Sequence, residues 1–166
     1  VERMGEAPAF RSMIDPDDES FAAPEDMPSA IRDYCLAHGE PVPSSDACLV
    51  RCIFESLALK YRLVLGRLKV LSGKNIERLH VIGGGSLNAE LNRMIASSLA
   101  LPVIAGPAEA TTAGNLMAQF VGLGLASSMA GMRGALASDA SLRRFDPENT
   151  EAWDAAYSRF QKILAQ

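Results

Sequence analysis

Leu79-His80-Val81-Ile82-Gly83-Gly84-Gly85-Ser86-Leu87-Asn88 is the stretch whose reading decides the fold. Leu79 to Ile82 is short and β-branched, and three glycines stop it at once, so it reads as a buried strand. A helix is expected from about Leu87 to Leu99, with Leu91, Met94, Ile95 and Leu99 facing inward. Glycine has no Cβ, so the backbone can turn sharply here and lie directly against a ligand. The helix that follows would aim free N–H groups and the positive end of its dipole at the same place. Gly83, Gly84 and Gly85 are therefore candidate contacts for a phosphate-bearing ligand. Asn88 adds an amide that both donates and accepts, and it can hold a nucleotide or cap the helix. Spacing alone also allows a tight strand-to-helix connection with no ligand. The glycines do not fit Gly-x-Gly-x-x-Gly, and no acidic residue closes a second strand about 20 residues on, which disfavours a dinucleotide fold. A methyl-donor domain is weak on the same ground. No Gly-x-x-x-x-Gly-Lys-Ser/Thr is present, so this is not a P-loop.

Working outward, residues 1–27 read as irregular, and the acidic run Asp15 to Glu19 as a solvated loop. A first helix should begin near Asp26, with Pro28 in its first turn, and stop at Gly39. Ser45 or Asp46 can cap a second, long helix that ends at Ser72-Gly73. Its stripe of Leu49, Ile53, Leu57, Tyr61, Val64, Leu68 and Leu71 holds one face by steps of three and four. Beyond the glycine turn, Pro102-Val103-Ile104 reads as a second strand and Glu109 to Gly124 as a helix rich in small residues. Glu109 reads as a helix start, and the small face of Ala110, Ala113 and Gly114 could shape a pocket against the glycine turn. A short helix over about Ser128 to Ala137 follows, then a loop at Phe145-Asp146-Pro147. Asn149 or Thr150 caps a last helix with Trp153, Tyr157, Phe160 and Leu164 on one face. Two strand–helix units imply a parallel pair in a larger α/β sheet, whose other strands are expected outside this chain.

Composition narrows the class. The 166 residues are 48% hydrophobic and 22% charged, which fits one soluble globular domain. A net charge of −4 argues against nucleic acid as a partner. No apolar run approaches the roughly 20 residues of a membrane span. Val1 to Phe10 has no signal-peptide core, so a cytoplasmic location is expected. The absent initiator Met and abrupt opening are what a piece of a longer chain would show. Cys35, Cys48 and Cys52 lack zinc-site spacing and read as small core residues; a Cys35–Cys52 bridge is the sharper alternative. His38 reads as a helix C-cap and His80 as a packed strand residue. No Ser/His/Asp or Cys/His set can be assembled, so the chain offers binding groups without a catalytic base.

Three runs carry a family likeness: Arg51 to Tyr61, Val81 to Asn88, and Val103 to Asn115. Together they resemble the C-terminal domain of the FGGY carbohydrate kinases, and the likeness extends over nearly the whole chain. The resemblance implies a partial actin/hexokinase-like (ribonuclease H-like) α/β domain, helix-rich with a few parallel strands. It implies that residues 1–166 are the nucleotide-binding, C-terminal part of a two-domain kinase whose sugar-binding and catalytic part is absent here. Such kinases transfer the γ-phosphate of ATP, with Mg2+, to a sugar hydroxyl. In the family the middle glycine and the asparagine four residues on contact ATP or ADP; these positions are Gly84 and Asn88, with Gly83 and Gly85 completing the turn. No metal ligand is implied within this chain, and the aspartate general base is expected upstream. A cleft wall left bare in the fragment makes self-association an expectation. The competing reading is a non-catalytic nucleotide-binding or regulatory module of the actin-like superfamily.

Overall fold

The computed structural model describes residues 4–125, 128 and 142–165. Helix α1 spans Met27–Ala37 and begins where the side chain of Asp26 accepts from the Ser29 amide at 3.0 Å, with Pro28 in the first turn. Its end is marked by His38, whose Nδ1 lies 2.9 Å from the Tyr34 carbonyl and whose ring stacks on Tyr34. Helix α2 runs over Asp46–Ser72, capped by Ser45 and closed by Gly73 in the left-handed conformation at φ +64°. These boundaries are the ones the local residues specify.

Strand β1 (Leu79–Val81) pairs in parallel with β2 (Val103–Ala105), with Leu79 opposite Val103. Helix α3 (Ala89–Leu99) joins them and α4 (Ala110–Gly122) follows β2. A third strand, β3 (Arg143–Phe145), pairs antiparallel with β2, and α5 (Thr150–Ile163) closes the described chain. The sheet order is β1-β2-β3, so it is mixed rather than purely parallel. Phe145 is thus a strand residue and not part of a loop: its side chain is buried opposite Val103, which draws Arg143–Phe145 onto the open edge of β2. The expected helix near Ser128 to Ala137 lies outside the described residues. No strand precedes β1 among the described residues, where residues 4–26 form irregular chain with two short 3₁₀ turns.

Helix α3 packs on β2 and β3 and is itself covered by α2 and α5. Leu59, Ile95, Val103, Trp153 and Phe160 share one core cluster there. The row His80, Ile104, Arg144 lies on the sheet's other face, because successive strand residues alternate sides. No described helix covers that row, so His80 is exposed, contrary to the packed position expected for it. The α2 stripe divides in the same way. Leu49 is buried, but Leu68 is 50% and Leu71 84% exposed, because the second half of the helix extends past its neighbours. Asn149 stands before α5 in a left-handed conformation and makes no side-chain cap. Cys35, Cys48 and Cys52 are free thiols, the first and last of them buried.

The N-terminal segment is held by charges. Glu55, 1% exposed, accepts from the Arg51 Nε and from the Phe10 amide, both at 2.7 Å. Burial pushes the Glu55 carboxyl above its usual range, against the opposing pull of Arg51. Arg51 also donates to the Ala7 carbonyl, and Arg159 reaches Glu40 and the Phe10 and Arg11 carbonyls. The acidic run is only partly a solvated loop, since Asp15 and Asp17 both close on Lys60. Replacing Glu55 by Ala leaves the Arg51 Nε and the Phe10 amide without their acceptor. Urea unfolding of Glu55→Ala is expected to show a loss of about 3 kcal/mol; a loss below about 0.5 kcal/mol would mean that this anchor is not a stabilising contact.

Candidate functional site

The glycine turn is built where the exits of β1 and β2 are tied together. The Gly106 amide donates to the Val81 carbonyl at 2.8 Å, and the Gly83 amide donates to the Pro107 carbonyl at 3.3 Å. Gly83 (φ +72°) and Gly106 (φ +111°) adopt backbone conformations that strain other residues, so glycine is favoured at both. Residues Gly83–Leu87 then form a 3₁₀ turn, closed by the buried Ser86 hydroxyl donating to the Gly83 carbonyl at 2.7 Å. The α-helix begins at Ala89, two residues later than the sequence suggests, because the glycines favour the tighter turn first.

Asn88 is the N-cap of α3: its Oδ1 accepts from the Leu91 amide at 3.1 Å. One of the donors that a helix start offers an anion is therefore already satisfied. The Asn88 Nδ2 makes no hydrogen bond among the described residues and stays available as a donor.

Among the described residues, a Cβ placed on Gly83 or Gly84 would meet nothing within 4 Å, whereas on Gly85 it would touch Val81 Cγ1 at 3.6 Å. Gly84 and Gly85 are exposed, and Asn88 is half-buried. The three glycines thus present bare backbone on one side and rest on β1 with the other.

The turn's carbonyls are taken up from within the protein. Asn92 is fully buried, and its Nδ2 donates to the carbonyls of Gly85 (3.1 Å), Ser86 (3.3 Å) and Asn88 (2.9 Å). From β3, Arg143 Nη2 donates to the carbonyls of Ser86 (2.9 Å) and Leu87 (3.2 Å). Sequence reading passed over both residues. Asn92 had a signal, since it falls one helical turn after Asn88 on the inward face of α3. Arg143 had none: it reaches the turn from 57 residues away in the chain.

The second candidate segment contributes through its backbone. Pro107 meets the turn, but Gly114 faces open space instead of packing on it. Glu109 stands at the start of α4, where its carboxylate accepts from Thr112 at 3.3 Å. Hollows elsewhere offer less chemistry. One of 240 Å3, lined by Ile14, Phe21, Ile31 and Leu57 among others, is apolar and has no group to orient a ligand. One of 260 Å3 near Trp153 is lined by two ion pairs closed within the protein, Arg51 with Glu55 and Arg93 with Glu90, and by Glu148.

Residues 2–123 match the C-terminal domain of the FGGY family of carbohydrate kinases. The chain belongs to that family. It is 52% identical over 155 residues to a rhamnulokinase of Bacteroides thetaiotaomicron, covering 93% of this chain and 32% of that protein. It is 45% identical over 163 residues to a rhamnulokinase of Pectobacterium carotovorum, covering 98% of this chain and 33% of that protein. A Yersinia pestis rhamnulokinase is 37% identical over 163 residues, 98% of this chain and 34% of that protein. The chain therefore spans about a third of the length of these curated relatives. The family assigns the helix-rich domain with its small mixed sheet to the actin/hexokinase-like ATPases. No helix among the described residues is long and apolar enough to cross a membrane.

Proposed function

We propose that this chain is the ATP-binding, C-terminal part of a sugar kinase that phosphorylates L-rhamnulose to L-rhamnulose 1-phosphate. Family membership supports sugar phosphorylation, and the names of the relatives support the choice of sugar. The observation that carries the nucleotide role is the bare backbone face of Gly83 and Gly84 beside the unused Asn88 amide. A flat ligand edge or a phosphate can approach there more closely than any side chain would permit. Gly84 and Asn88 are the direct contacts in this reading, with Gly83 and Gly85 shaping the turn.

Phosphoryl transfer depends on positioning and on stabilising charge. The described residues contribute positioning: a fixed seat on one wall of a cleft. The general base and sugar contacts belong to the part of the protein upstream of these residues. Mg2+ supplies charge neutralisation on the ATP phosphates. Among the described residues no three His, Cys, Asp or Glu side chains are grouped to hold a metal ion. The exposed Val64, Leu68 and Leu71 of α2, with Leu116 and Phe120 of α4, are surface for the rest of the kinase to cover. The chain alone is expected to self-associate through its bare cleft wall.

Two measurements test the reading. The full-length protein containing these residues is expected to phosphorylate L-rhamnulose with ATP, and the 166-residue chain alone to show no such activity. ADP binding by a full-length protein that phosphorylates no sugar would favour a regulatory module instead. Gly84→Val adds a side chain where the fold has room, so the variant is expected to fold normally and to lose at least about tenfold in ADP affinity. Unchanged affinity in the folded variant would remove Gly84 from the site.

A further inference from the structure

We infer that Asn92 and Arg143 are positioning residues that clamp the glycine turn into its nucleotide-binding shape; this rests on the nucleotide reading of the turn. The physical need is plain. Three consecutive glycines lose more conformational freedom on ordering than any other tripeptide, so a turn made of them is not rigid by itself. A seat that is mobile in the free protein must be ordered each time ligand binds, which weakens binding.

The two side chains remove that freedom from opposite directions. Asn92 rises from inside α3 and bonds three carbonyls of the turn, at Gly85, Ser86 and Asn88. Arg143 comes across from β3 and bonds Ser86 and Leu87. The Ser86 carbonyl accepts from both. The Arg143 guanidinium is itself set against the Phe145 ring, 5.6 Å from its centre, and Phe145 is buried in the core. The turn is thereby fixed to α3 on one side and to the sheet edge on the other.

The orientation of the Asn92 amide is determined by its neighbours. Three carbonyl oxygens surround Nδ2, and a flipped amide would set its oxygen against all three. In this orientation Oδ1 is the sole buried side-chain polar atom without a partner among the described residues. Leucine would fill similar volume in α3 without leaving an acceptor unpaired. An asparagine at this position makes sense by what its nitrogen holds.

The test uses the full-length protein, with ADP titrated by calorimetry and melting followed without nucleotide. Arg143 is exposed, so Arg143→Gln should fold and melt close to the unmodified protein. ADP affinity is expected to fall about three- to tenfold, the loss of one or two modest hydrogen bonds. Arg143→Lys, which restores a donor, should recover most of it. The KM for ATP should rise in Arg143→Gln while the KM for sugar stays constant; a merely structural role would not separate the two. Asn92→Leu should lower ADP affinity further, and if it does not fold, the Arg143 pair decides alone. Arg143→Gln with unaltered ADP affinity would overturn the clamp alone. Absence of ADP binding by the unmodified protein would overturn the nucleotide reading and the clamp with it.

Discussion

The close approach of α2 and α3 sets the position of the glycine turn. Ala58 is fully buried at the crossing, and the Ser98 hydroxyl donates to its carbonyl at 2.9 Å. A hydrogen bond from one helix to the backbone of another needs small residues at the contact, and Ala58, Ala96 and Ser98 supply them. Leu59 and Ile95 fill the space alongside, and each buried aliphatic side chain of this kind contributes about 2 kcal/mol. With α3 held this way, Asn88 and Asn92 are held too. The turn then hangs from α3 through Asn92, from β1 through the chain itself, and from β3 through Arg143.

Most helix ends were readable where a local residue decides the local shape, Asn149 being an exception. Asp26 and Ser45 start their helices and Gly73 stops one, because cap and left-handed turn chemistry act within a few residues. The glycine turn was legible for the same reason. Features set by distant partners were not. β3 contains two arginines, and only its pairing with β2 makes it a strand. His80 alternates onto a face that no described element covers, and nothing in Leu79 to Ile82 reveals that. Arg143 at the turn is a long-range contact of the same kind.

The site was half legible. Gly83, Gly84, Gly85 and Asn88 come together as expected, and the Gly106-Pro107 loop lies against them. What changed is the role of the helix end. Asn88 uses its oxygen for the cap, so the proposed seat would rely less on free helix donors and more on bare glycine backbone with one amide nitrogen. The chain that holds this turn is about a third as long as the kinases it resembles.

The proposed seat for ADP and ATP is this turn. Amide hydrogen exchange of the full-length protein with and without ADP tests it most directly. The account predicts slowed exchange concentrated in residues 83–92 and at the loop that holds Gly106. Saturating ADP that slows exchange elsewhere and leaves residues 83–92 unchanged would contradict it.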